Sequence, residues 1–417
     1  MQKLLIDGKK TLSGNIVISG SKNATLPILA ATILNKETII KNVPFVNDIF
    51  TMVDLLKFIG LNCELSKKNN RIRIINLEKK IKTVAPYKLV KTMRAGILVL
   101  GPLLAKYKKA KISLPGGCAI GTRPVDLHLL ALKKLGAKIK IKNGYIFASA
   151  PKGLRGSTIR FPKISVGATE NAIIAAAQAR GSTQIRNCAI EPEIIDLINF
   201  LKKLGIKVKI NRRNIEINGS IKEKKISHNV ISDRIELGTY LIAGALTARK
   251  LKLKNIDTKI VKKEISVLKK MGVKMNVGKN FVEVFKSKNF KKIKIKTEPY
   301  PGFPTDLQAQ IMILMTQAKG RSQIKENIFE NRFMHVPELR RMGAKIEIKN
   351  NVAYVDGPSF LTGAEVMATD LRASVSLVLA GLIANKRTNI NRIYHLDRGY
   401  QELEKKLMNC KAKIQRV

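Results

Sequence analysis

The sequence predicts an α/β protein of two domains, each assembled from three copies of one repeating unit. Three observations carry that expectation. The chain has 417 residues, more than one hydrophobic core usually holds. One phrase returns six times: LLKFIGLNCEL from Leu55, LKKLGAKIKI from Leu132, LKKLGIKVKI from Leu201, LKKMGVKMNV from Leu268, LRRMGAKIEI from Leu339, and a degenerate LMNCKAKIQRV at the end. Within the phrase, leucines at helical spacing give way to period-two alternation after a glycine, which marks a switch from helix to strand.

The repeated glycine falls at 60, 136, 205, 272 and 343, with Lys411 in the sixth place. If that place requires positive φ, Lys411 costs about 1 kcal/mol relative to glycine. Upstream of each phrase lies an apolar helix rich in small residues: TLPILAATIL, MRAGILVLGPLLA, ATENAIIAAAQA, ELGTYLIAGALTA, DLQAQIMILMTQA and LRASVSLVLAGLIA. Alanine and glycine there predict close packing in a buried position. A short strand follows, as in GSTQIRN, GRSQIKE and KRTNINR, and then the second helix that ends at the repeated glycine. After most copies a turn and a second alternating run, as in AKIKIKNGYIFASA, predict a hairpin.

Six units fill two domains of three. The last unit stops after one hairpin strand, AKIQRV, whereas KLLIDG at the start is a strand with no helix before it, so the two ends are predicted to pair. The domains are then 22–229, and 1–21 together with 230–417. The chain crosses between them near Lys22 and near Asn229, where KEKKISHNVISDR is polar and without helical periodicity.

Hydrophobic residues make up 45% and charged residues 26%, which is globular composition and excludes disorder. The charge is unusual: 78 Lys and Arg against 30 Asp and Glu leave +48. Nucleic-acid binding, an acidic substrate or a compositional drift toward Lys, Asn and Ile would each produce it. Lysines spread over strands and turns, with no tryptophan for base stacking, favour drift, and no specific nucleic-acid partner is expected. The cysteines Cys63, Cys118, Cys188 and Cys410 lack paired spacing and the four histidines stand apart, a pattern of neither disulfides nor a metal site. The first residues lack an apolar signal core and SVSLVLAGLIA is too short for a membrane helix. The expectation is a soluble, reduced, cytoplasmic protein with no membrane association.

Chemistry concentrates in SLPGGCAIGTRPVDLH, Ser113 to His128. Its glycines resemble a phosphate cradle, but Thr122 and Arg123 stand where a P-loop needs Lys and Ser or Thr. What remains is a glycine loop holding the Cys118 thiol near the Arg123 guanidinium, a setting that lowers a thiol pKa. Cys118 is therefore either a reactive thiol or a small buried hydrophobe; the other three cysteines lie in strand or helix patterns and read as inert. Lys22, Arg94, Arg332, Arg372 and Arg398 stand at or beside the starts of small-residue helices, where free N–H groups already favour anions. Each is an anion ligand or a partner in a surface ion pair, as Arg372 with Asp370 or Arg398 with Asp397. Asp306 in PGFPTDLQAQ and Asp370 in MATDLRAS occupy corresponding helix starts, and each is a helix cap or a base.

The six-unit plan, with SGSKNATLPIL, YKLVKTMRAG, LPGGCAIGTRPVDLH, ISVGATENAI, YPGFPTDLQAQ, ENRFMHVPEL, ATDLRASVSLVLAG and YHLDRGYQELE, resembles the UDP-N-acetylglucosamine 1-carboxyvinyltransferases of the EPSP synthase family from end to end. The cysteine loop separates it from the sister enzymes acting on shikimate 3-phosphate. The resemblance implies two inside-out α/β barrels with threefold pseudo-symmetry, a cleft that closes on the sugar nucleotide, and transfer of the enolpyruvyl group of phosphoenolpyruvate to the 3′-hydroxyl of UDP-N-acetylglucosamine, the committed step toward peptidoglycan. It implies no cofactor, no metal and a monomer. By motif, Cys118 is the general acid and can hold phosphoenolpyruvate covalently. Asp306 is the base, and Asp370 is a second proton-handling carboxylate. Lys22, Arg123 and Arg398 hold the phosphate, Arg332 and Arg372 the carboxylate, and Asn23 and Arg94 complete the anion pocket. Arg123, Pro124, Val125, Asp126, Leu127, Lys163, Ile164, Ser165, Val166, Gly167 and Ile328 match positions that bind the nucleotide.

Overall fold

The computed structural model describes residues 2–78, 80–116, 121 and 124–417. Cys118 and Arg123, singled out above, lie outside the described residues. The described chain divides into two compact units, each with its own apolar core: residues 20–116 with 124–231, and residues up to Ser19 with those from Ser232 onward.

Each small-residue segment forms a buried helix. In the first unit these are Lys22–Ala31, the 3-10 turn Arg94–Val99 running into Leu100–Tyr107, and Val166–Ala176; in the second they are Arg234–Thr247, Gln308–Thr316 and Leu371–Ile383. Every residue of Arg234–Thr247 is buried. A helix apolar on all sides has no solvent face to offer and must sit inside a domain. Small residues let these helices approach one another: a Cβ at Gly101 would strike the Asn171 side chain on the neighbouring buried helix.

The second helices, Asn47–Ile59, Asp126–Lys134, Pro192–Lys203, Lys262–Lys270, Val336–Arg341 and Leu403–Met408, keep one polar face. Each ends near the repeated glycine. All five glycines have positive φ, from 91° to 118°, and Lys411 in the sixth place has φ 71°. The left-handed turn is thus structural in every unit, including the one that lacks the residue suited to it.

Among the described residues six sheets lie outside the buried helices, giving two inside-out α/β barrels. In the sheet of Val166–Ala176, Ser182–Arg186 runs parallel to Thr158–Arg160 and antiparallel to Asn214–Asn218, which pairs with Lys207–Asn211. Two sheets borrow their parallel strand from far along the chain. Lys225–Asn229 pairs with Glu37–Lys41, and Leu12–Val17 pairs with Ala248–Lys254. The first of these lies in KEKKISHNVISDR, the polar segment without helical periodicity near the expected crossing, where the sequence marked no strand. Only Ile226 and His228 of that strand are buried, too short an alternation to stand out among polar neighbours.

The ends of the chain pair as expected. Leu4–Asp7 lies between Arg387–Asn391 and Lys413–Arg416, antiparallel to both, and completes the sixth hairpin. Lys3 and Val417 exchange backbone hydrogen bonds at 2.8 and 3.0 Å. No helix among the described residues is long and apolar enough to cross a membrane.

Candidate active site

In the unit 20–231 the expected residues gather at helix starts. Ser21 caps the helix Lys22–Ala31, accepting the Ala24 N–H, and the first turn of the helix carries no acidic residue of its own. Lys22 is the first residue of that helix and Asn23 the second. The Lys22 ammonium lies 3.0 Å from Asp48, whose carboxylate is buried in the first turn of Asn47–Ile59. Arg94 opens its 3-10 turn and donates to the Pro124 carbonyl at 3.1 Å, joining two of the expected ligands.

Asp126 and Leu127 begin the helix Asp126–Lys134, with Val125 before them. Lys163 and Ile164 lead to Ser165, which caps Val166–Ala176 by accepting the Ala168 N–H. These two helices are joined by the buried His128, whose Nδ1 lies 3.1 Å from Asn171. A Cβ at Gly167 would come within 3.2 Å of the His128 ring, so the absent side chain lets the helix start approach the ring. The nucleotide ligands expected from Pro124 to Leu127 and from Lys163 to Gly167 therefore belong to one packed pair of helix N-termini.

In the second unit a carboxylate sits between two guanidiniums. Asp306, within the 3-10 turn Thr305–Leu307, accepts from Arg332 on one oxygen at 2.9 Å and from Arg372 on the other at 3.0 Å. Both arginines are buried and Asp306 is partly exposed. Burial pulls the Arg372 guanidinium down, but Asp306, Tyr400 and Asp233 together outweigh it and hold the group above its ordinary range. Nη1 of Arg372 has no hydrogen-bond partner among the described residues.

The two aspartates at corresponding helix starts differ. Asp370 takes the cap role, accepting the N–H groups of Arg372 and Ala373 at 2.8 and 3.1 Å. Asp306 instead takes a guanidinium on each carboxylate oxygen. The surface ion pairs considered from sequence are replaced by others: the Arg372 guanidinium turns to Asp306 instead of Asp370, and Asp397 binds Arg416 at 2.6 Å. Arg398 ends the 3-10 turn Ile393–Arg398 and is half-buried. With burial, its charge lowers the pKa of His395.

Sequence reading missed several supports. Glu326, buried, accepts from the Thr297 and Thr305 hydroxyls and from the N–H groups of Ile328 and Phe329 at 2.8 to 3.3 Å, tying the loop that carries Ile328 to the turn that carries Asp306. Asp48 beside Lys22 and His335 beside Arg332 were also unmarked. Each is a polar residue among apolar ones, a signal too common to single out. The three described cysteines are inert: burial pushes the Cys63 thiol up to about 12, Cys188 up to about 11, and raises Cys410.

Residues 6–407 match the family described as EPSP synthase (3-phosphoshikimate 1-carboxyvinyltransferase). A UDP-N-acetylglucosamine 1-carboxyvinyltransferase of Pelagibacter ubique is 59% identical over 419 aligned positions, covering the whole of both chains. The protein of the same name from Rickettsia akari is 53% identical over the same extent. Among solved structures, the enolpyruvyl transferase NikO of Streptomyces tendae matches with a TM-score of 0.92 at 24% identity, covering 100% of this chain and 99% of that one. EPSP synthase of Acinetobacter baumannii matches over the whole of both chains with a TM-score of 0.78 at 18% identity. At such low identity these two structures speak for the fold, and the family match with the two full-length relatives speaks for descent. The chain belongs to the EPSP synthase (3-phosphoshikimate 1-carboxyvinyltransferase) family.

Proposed function

We propose that this chain transfers the enolpyruvyl group of phosphoenolpyruvate to the 3′-hydroxyl of UDP-N-acetylglucosamine with release of phosphate, the committed step toward peptidoglycan. The observation that carries the reading is the Asp306 carboxylate between Arg332 and Arg372, in a chain 59% identical over its whole length to a protein named for that reaction. Phosphoenolpyruvate brings a carboxylate and a phosphate. Two buried arginines suit the first, and helix N-termini bearing Lys22 and Arg94 suit the second.

The reaction is an addition followed by an elimination. The 3′-hydroxyl oxygen bonds to C2 of phosphoenolpyruvate as its proton passes to a base, while C3 gains a proton and becomes a methyl group. The resulting tetrahedral ketal then loses phosphate from C2 and a proton from C3, restoring the double bond. Asp306 takes the hydroxyl proton and Cys118 protonates C3, with Asp370 as the second carboxylate for proton transfer. Lys22, Arg123 and Arg398 hold the phosphate and stabilise it as it leaves; Arg332 and Arg372 hold the carboxylate, and Asn23 and Arg94 complete the anion pocket. The segments Arg123–Leu127 and 163–167, with Ile328, bind the nucleotide. The chemistry needs no cofactor, and the reading includes a monomer; it puts the chain in the cytoplasm, because both substrates are highly charged and do not cross a bilayer unaided.

The test is phosphate release from phosphoenolpyruvate with and without UDP-N-acetylglucosamine, in wild type, Cys118→Ala and Asp306→Ala. Acceptor-dependent release that falls about 100-fold or more in each variant is expected. Folded wild type without acceptor-dependent release refutes the reading.

A further inference from the structure

We infer that Tyr400 is a positioning residue that holds the Asp306–Arg372 pair in its working arrangement; this rests on the reading that both residues serve enolpyruvyl transfer. Tyr400 is buried just beyond Arg398. Its ring lies under the Arg372 guanidinium, 5.6 Å from centroid to Cζ. Its hydroxyl lies 2.9 Å from the Thr239 hydroxyl and 3.3 Å from Nε2 of Gln310. The same Gln310 nitrogen donates to the Asp306 backbone carbonyl at 2.9 Å.

These contacts form a closed circuit. It runs from the Asp306 carboxylate to Arg372, from Arg372 to the Tyr400 ring, from the Tyr400 hydroxyl to Gln310, and from Gln310 back to the backbone of Asp306. Thr239, Gln310 and Arg372 stand on the three different buried helices of this unit, Arg234–Thr247, Gln308–Thr316 and Leu371–Ile383. One side chain therefore registers all three helices at the point where the carboxylate meets the guanidinium. The ring and the hydroxyl have separable tasks. The ring supports the cation from its face, and the hydroxyl fixes the turn from which the carboxylate projects.

The experiment measures kcat and KM for both substrates in wild type, Tyr400→Phe and Tyr400→Leu, with thermal unfolding of each protein alongside. Tyr400→Phe keeps the ring and loses the bridge, so kcat is expected to fall about tenfold with KM for phosphoenolpyruvate within about twofold. Tyr400→Leu also loses the ring, and KM for phosphoenolpyruvate is expected to rise about tenfold in addition. In both variants KM for UDP-N-acetylglucosamine stays near wild type. Tyr400→Phe with wild-type kcat overturns the inference alone, as do losses that only track the folded fraction. A wild type without acceptor-dependent phosphate release overturns the transfer reading and this inference with it.

Discussion

Asp306 and Asp370 stand at equivalent helix starts one repeat apart, yet their carboxylates have different work. Asp370 accepts two backbone N–H groups, so Asp370→Ala is expected to lower stability by about 1 kcal/mol, whereas Asp370→Asn, still a good cap, leaves it nearly unchanged. Urea unfolding measures this. Phosphate release in the folded Asn variant then isolates the carboxylate's part in proton transfer, and activity equal to wild type would leave Asp370 as a cap alone. From local sequence, apart from the family resemblance, each aspartate reads as a cap or a base, because the partners that separate them are distant: Arg332 and Arg372 lie 26 and 66 residues from Asp306. His335 gives a second prediction. Burial, with Arg332 adding to it against the opposing pull of Asp370, lowers this ring to about 4. Between pH ~6.5 and that value the unfolded chain binds a proton that the folded one refuses, so stability falls as pH drops through the window and levels off below it. The whole loss is about 3 kcal/mol at most. His335→Gln is expected to flatten that limb of the pH–stability curve; an unchanged slope would contradict the assignment.

At the scale of elements, the repeat was legible because each helix end demands a left-handed residue and each buried helix demands small apolar ones. Those demands leave marks within ten or fifteen residues. Lys411 shows the first demand persisting without its usual residue, at φ 71°. The side chain is exposed, so Lys411→Gly removes backbone strain without removing packing. A gain of about 1 kcal/mol in urea unfolding is expected, and a neutral or destabilising result would mean that the lysine stem contributes packing of its own. Strands were less legible. Leu12–Val17 and Lys225–Asn229 pair with segments more than 180 residues away, and neither shows a hairpin turn or a preceding helix that would announce it. The outward faces of the sheets, as in Lys138–Lys142, also admit lysine freely, which lets much of the +48 accumulate on strands.

For the whole molecule, the pairing of Leu4–Asp7 with both Arg387–Asn391 and Lys413–Arg416 means that the two ends of this sequence share one sheet. Joining Val417 to Lys3 through a short linker and opening the chain at the Asn350–Asn351 turn is expected to give a folded protein, since both residues at that turn are exposed. Deleting residues 1–8 is expected to unfold the second unit, because an interior strand of its sheet is lost with Leu4 and Ile6 from its core. Circular dichroism and urea unfolding distinguish these outcomes, and a stable deletion variant would contradict the central role given to the strand. The same pairing governs the order of events on the ribosome. Leu4–Asp7 is made more than 370 residues before Arg387–Asn391, which at bacterial speeds is on the order of tens of seconds. Throughout that interval Leu4 and Ile6 wait without the strands that bury them, so the sheet that Leu4–Asp7 completes forms only after nearly all of this sequence has been made.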